Sequence, residues 1–196
     1  MVQLKYGKAM SLRFLLCICL FSFPVTLAAE SGFYLGGGFS AINLDIDHPS
    51  INSQSDAAFH ILAGTRFEKW GFEIAATGGM SFSTGETPNI FYPPDSAEYL
   101  SLDLGVKRFF NVEAVPNLYP WIGAGLGLHL ITWDTYYYNV EGYGYSLTAG
   151  IDYQLRPHWL VRGGVVYSGF ESDDTYEYGP YDGNTIQLNI GIIYLF

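Results

Sequence analysis

Basic side chains are scarce in this chain. Nine Lys and Arg stand against 19 Asp and Glu in 196 residues, a formal net charge of −10. That shortage argues against a nucleic-acid binder, which needs cations to meet phosphates. Charge of either sign is thin, at 14% against roughly 25% in an average soluble domain. Disorder is disfavoured too, since it combines low hydrophobicity with high net charge. This chain is 49% hydrophobic and 17% aromatic. No apolar run reaches the length of about 18 residues that a membrane-spanning helix needs. Cysteine is nearly absent: there are only Cys17 and Cys19.

Both cysteines fall in a first segment unlike the rest. Lys5, Lys8 and Arg13 precede an apolar run over residues 14–23, Pro24 breaks it, and small residues follow at Thr26, Ala28 and Ala29. This order predicts a secretory signal peptide over residues 1–29, cleaved after Ala29 or alternatively Ala28, with Met10 as a second candidate start. Leu16 and Ile18 precede the cysteines where a lipoprotein signal would carry a small residue. Residues 30–196 would then carry a charge of −13 and no cysteine, so neither a disulfide framework nor a cysteine metal site is expected there.

What recurs after the signal is alternation. Ile122, Ala124, Leu126, Leu128 and Leu130 interleave with Gly123, Gly125, Gly127 and His129. Leu100, Leu102, Leu104 and Val106 alternate with Ser101, Asp103, Gly105 and Lys107. Period two predicts eight strands near 32–43, 57–67, 70–80, 97–109, 120–132, 144–154, 158–168 and 185–196. Each has about the 9–11 residues a tilted membrane strand needs. Connections alternate between short and long, the pattern of an outer-membrane barrel. The fold class read from this is all-β, an eight-stranded antiparallel up-and-down transmembrane β-barrel. A soluble sandwich or lipocalin-like barrel also alternates, but its watered face should carry Lys and Glu, whereas Gly and Ser dominate here. Trp70, Trp121, Trp133, Trp159, Tyr145, Tyr153, Tyr167 and Tyr194 lie near strand ends, where an aromatic girdle is expected.

Charge placement gives an independent reading. The long connections 44–56, 81–96, 133–143 and 169–184 with their flanks are rich in acids, from Asp45 and Asp47 to Asp182, and hold no Lys or Arg. Parity points Arg66, Lys107 and Arg162 inward together with Glu73, Asp103 and Asp152. A barrel of eight strands has a bore only wide enough for side chains, so these six are expected to form a structural lumen network rather than an ion path. His60 and His129 face the same lumen by parity, His158 begins a strand, and His48 lies in the first loop. Nothing in their spacing gathers several metal ligands. No nucleophile–base pair is indicated either: the single His-x-Ser match to barrel deacylases, His48-Pro49-Ser50, stands in the first loop beside proline. No cofactor and no enzymatic activity are expected. The fourth loop offers Glu171, Asp173, Asp174, Tyr176, Tyr178 and Tyr181 as interaction candidates for an external protein or a divalent cation, since Tyr supplies contact area at low entropic cost.

Several stretches carry a family resemblance. They are Gly32-Phe33-Tyr34-Leu35-Gly36-Gly37-Gly38, then Gly64-Thr65-Arg66-Phe67 with Trp70-Gly71-Phe72-Glu73, and Tyr119-Pro120-Trp121-Ile122-Gly123-Ala124-Gly125-Leu126-Gly127. In this order they resemble the small outer-membrane β-barrel family that includes opacity-type surface antigens and the barrel of outer-membrane protein A. The resemblance implies an outer-membrane location and lipid as surroundings. It implies an interior Arg–Glu pairing, for which Glu73 and Arg162 occupy suitable strands. It also implies that Ile190, Ile192, Tyr194 and Phe196 form the C-terminal signal read by the barrel assembly machinery. Members differ in role, so two functions are carried forward. The first is a non-enzymatic surface protein whose acidic, Tyr-rich loops serve interaction or adhesion. The rival is a small channel or carrier of apolar molecules, as in barrels resembling the outer-membrane protein W family.

Overall fold

The computed structural model describes residues 32–47, 54–83, 96–133, 139–172 and 181–196. They form eight strands: β1 Gly32–Ile46, β2 Gln54–Phe67, β3 Trp70–Ser83, β4 Ser96–Phe109, β5 Leu118–Trp133, β6 Asn139–Arg156, β7 Trp159–Ser172 and β8 Tyr181–Leu195. Each pairs antiparallel with the next, and β1 pairs with β8 to close the barrel. There is no helix among the described residues.

Alternation decides which side each residue faces, and the exposed side is the apolar one. Leu126, Ile61, Ile190 and Leu188 are 71%, 66%, 63% and 61% exposed, while Ser40, Ser101, Ser168 and Gln187 are buried. A water-soluble barrel would invert this arrangement, so the outer wall is built for hydrocarbon. One end holds the short turns and the final residues of β8. Glu68 closes the β2–β3 hairpin with a φ of 50°, the positive φ that two-residue hairpins call for. At the other end of β3 a bulge between Gly78 and Met80 is taken up by Gly79, whose φ of 89° suits glycine.

The strands run further than the alternation predicts, and the added residues lie mostly at the end away from the short turns. Parts of the segments expected as loops, such as 44–46, 139–143, 169–172 and 181–184, continue the ladders. At about 3.3 Å per residue and a tilt near 40°, strands of 14–18 residues rise roughly 35–45 Å, against an apolar band of about 25 Å. Beyond the band the outer face meets water, so the apolar side turns inward while backbone pairing persists: on β1 Asn43 and Asp45 are exposed, and Ile42, Leu44 and Ile46 are buried. At the short-turn end, β7 begins at Trp159, and His158 belongs to the preceding turn, with Nδ1 hydrogen-bonded to the Leu195 carbonyl at 2.9 Å.

Candidate functional site

The lumen is crossed by a chain of charged side chains drawn from four strands. Asp152 on β6 stands opposite Arg162 on β7 in the ladder. The guanidinium meets it in bidentate fashion, Nε donating to Oδ1 at 2.7 Å and Nη2 to Oδ2 at 2.8 Å. Arg162 Nη1 also donates to Glu73 Oε2 on β3, across the bore. Lys107 on β4 donates to the other oxygen of Glu73 at 2.5 Å. Lys107, Glu73, Arg162 and Asp152 are therefore one connected set, each 7% exposed or less. Buried charges are tolerated when paired and hydrogen-bonded in this way.

Two neutral residues complete the set. The Tyr34 hydroxyl donates to Glu73 Oε2 at 2.9 Å, and Trp121 Nε1 donates to Asp152 Oδ1 at 2.9 Å. The Trp121 ring also lies 4.0 Å from Lys107 Nζ and 5.1 Å from the Arg162 guanidinium carbon, within cation–π range. Its space depends on glycine. A Cβ on Gly150 would stand 2.5 Å from the ring, and one on Gly164 would stand 3.0 Å from it.

Trp121 is a correction to the girdle expectation. It is 3% exposed and faces the lumen, whereas Trp70 and Trp159 do face outward. Its parity with Gly123 and His129 was the available signal; position near a strand end pointed the wrong way. Tyr34 is equally legible by its parity with Ser40.

The six inward charges do not form one cluster. Arg66 sits toward the short-turn end, 4.3 Å from the Phe109 ring and 4.6 Å from that of Tyr119, with Nε donating to the Glu68 carbonyl at 3.4 Å. Asp103 accepts from Ser101 Oγ at 3.2 Å and has no ion pair among the described residues. A small cavity of about 60 Å³ touches Glu73, Lys107, Arg162, Asp103 and His60.

Further toward the long-connection end, Tyr99 Oη and His129 Nδ1 are 2.7 Å apart, and the His129 ring stacks on Phe170 at 4.4 Å. Ile42, Leu44, Ile46 and Ile131 are buried there as well. Ser40 Oγ lies 2.9 Å from His60 Nδ1, a contact that sequence spacing did not reveal and that the β1–β2 register creates. Both residues are buried, so this is a packed hydrogen bond rather than an open nucleophile. Among the described residues no group of three or more metal-ligating side chains converges.

At the rim of that end, Asp45, Asp47, Glu171 and Asp182 border an open recess of about 680 Å³ beside Tyr143, Tyr145 and Tyr167. Asp47 N–H donates to the Asp182 carbonyl at 2.9 Å, tying β1 to β8. Of the fourth-loop candidates, Glu171 ends up on β7 and Tyr181 opens β8. Asp173, Asp174, Tyr176 and Tyr178 lie outside the described residues, as does His48. Ile190, Ile192 and Phe196 face outward and are exposed. Tyr194 packs edge-on against Trp159 and Phe196, each with ring centroids 4.9 Å apart.

Residues 14–193 match the family model described as the outer membrane protein beta-barrel domain. No curated protein sequence matches. Among solved structures, the fold is similar to Neisserial surface protein A, with a TM-score of 0.66 and 17% identity over 84% of this chain and 97% of that one. It is similar to the outer membrane protein OprG of Pseudomonas aeruginosa, with a TM-score of 0.58 and 16% identity over 85% and 96%. It is also similar to Ail, the attachment invasion locus protein of Yersinia pestis, solved with the heparin analogue sucrose octasulfate. There the TM-score is 0.55, with 12% identity over 85% of this chain and 99% of that one.

Proposed function

The chain belongs to the outer membrane protein beta-barrel domain family, and from that premise we propose that it is a non-conducting, non-enzymatic surface protein acting through its acidic outer end. It is an outer-membrane barrel of eight antiparallel strands. Residues 1–29 direct export and are removed. The short turns face the periplasm and the acidic connections face outward, as in barrels of this kind.

The observation that carries the reading is the Lys107–Glu73–Arg162–Asp152 chain, buried and paired from β4 to β6 across the bore. An ion or an apolar cargo would have to break at least one of these pairs to pass, and separating a buried pair costs several kcal/mol. This favours a closed barrel over the channel or carrier. The buried Ser40–His60 contact supports the non-enzymatic reading, since no substrate reaches it.

The outer end also suggests the class of partner. Ail was solved with a sulfated polyanion. Here the outer connections and their flanks carry no Lys or Arg, so a polyanion would be repelled. A basic protein surface, or one bridged by a divalent cation, fits the charge. Two measurements test this. Purified protein in planar bilayers should give no unitary conductance, and an open channel would refute the closed-barrel reading. Cells displaying the barrel should be retained on a polycationic surface, and replacing residues 173–180 with a Gly–Ser linker should reduce retention while the barrel still folds. Retention that ignores the replacement removes the loop from the proposal.

A further inference from the structure

The outward face of the short-turn end lies apart from both the lumen network and the acidic rim. Trp70 opens β3 directly opposite Arg108 on β4. The Arg108 guanidinium carbon lies 5.4 Å from the Trp70 ring and 5.8 Å from the Phe110 ring. Phe109 N–H donates to the Lys69 carbonyl at 2.7 Å, holding the Lys69 turn beside the end of β4. Lys69 and Arg108 are both exposed. Glu68 and Glu113 stand in the neighbouring turns, yet neither cation is ion-paired among the described residues. Stacking fixes a guanidinium in place and leaves its N–H edge available for an oxyanion.

What lies next to these cations is apolar. Moving along the wall from Arg108, the outward residues of β3 to β5 include Phe72, Leu104, Val106 and Ile122, from 39% to 55% exposed. A stacked guanidinium and an exposed lysine in the adjoining turn therefore border a continuous hydrocarbon-facing strip, without a carboxylate on the strip itself. A phosphodiester with two acyl chains has this same division, charged at one end and apolar along its length.

We propose that Lys69, Trp70 and Arg108 bind the headgroup of an anionic glycerophospholipid in the leaflet on the short-turn side, with its chains lying along Phe72, Val106 and Ile122. The proposal rests on the barrel lying in a membrane and not on what its outer end binds. Charge complementarity selects the anionic lipid over a neutral one: each cation at an anionic leaflet contributes a factor of about five in binding. Arg156, which pairs with Trp159 across the β6–β7 turn, is a comparison position with a single cation.

The test is native mass spectrometry of the whole barrel released from micelles with phosphatidylglycerol or phosphatidylcholine of identical chains. The unmodified protein should retain phosphatidylglycerol in preference. K69Q/R108Q should lose about five-fold for each charge removed and fall toward the phosphatidylcholine level. R156Q should lose less, and K69R/R108K should keep the preference. Heat-dependent gel mobility checks that each variant is folded, which these exposed positions should allow. Equal retention of the two lipids by the unmodified protein overturns the proposal. So does a preference that survives K69Q/R108Q, or a parallel loss of both lipids, which would make the surface merely apolar.

Discussion

Glu73 accepts hydrogen bonds from Lys107, Arg162 and Tyr34 at once, so its removal strands Lys107 and leaves Arg162 to Asp152 alone. Glu73→Gln should destabilise the barrel by about 3–5 kcal/mol, the usual cost of breaking a buried pair from one side. Adding Lys107→Met should recover part of that loss, because the stranded charge goes with it. Urea unfolding in lipid vesicles, followed by tryptophan fluorescence, reads both values, and strictly additive losses would mean the pair is not coupled. Gly164→Val should cost about 1–3 kcal/mol by crowding Trp121. These residues differ in how legible they were. Alternation told which charges face inward, but it carries no height along the bore. Arg66 and Asp103 therefore share the parity of the network without joining it: one is held by Phe109 and Tyr119, the other by Ser101. Trp121 departs from the girdle expectation because, although large aromatics near strand ends mark girdles in general, glycines on β6 and β7 here open a place for the ring inside.

Strands obey the rule of the surrounding medium. Ile190 on β8 is exposed midway along the wall, opposite Phe39 on β1 and Gly163 on β7. Ile190→Arg should cost about 2–4 kcal/mol, while the same change at Tyr194, nearer the rim, should cost about 0–1 kcal/mol. Refolding titrations in vesicles measure the difference, and equal penalties would argue against a lipid-facing wall. Where the medium changes, the sequence signal changes with it. Within the apolar band the eight strands could be read from alternation alone. Their outer extensions could not, because a ladder standing in water needs no apolar outer face; 139–143 and 181–184 read as loop although they are paired. Amide exchange distinguishes the two readings: the amides paired within residues 139–143 should be protected in the folded protein. Exchange there at the rate of a free chain would contradict the extension.

At the scale of the whole molecule, the bore and the rim divide the work. The bore holds paired charges at one level and Phe170, His129 and buried aliphatics at another. The rim is left to meet the outside. Composition and charge order made this division visible in outline, since acids gather on the long connections and bases at the opposite end. The partner was not visible, because a solvated acidic loop has the same composition whether or not something binds it.

Glu73 and Arg162 are 89 positions apart in sequence and sit on strands that are not neighbours in the sheet. Neither can find the other while the sheet is still open; until then Glu73 has Lys107 on the following strand, and Arg162 has Asp152 opposite it on the preceding one. A half-inserted sheet thus carries two separate ion pairs, and the bond that joins them forms only when β1 meets β8. Closing the seam and fastening the two pairs into one network are expected to be the same event.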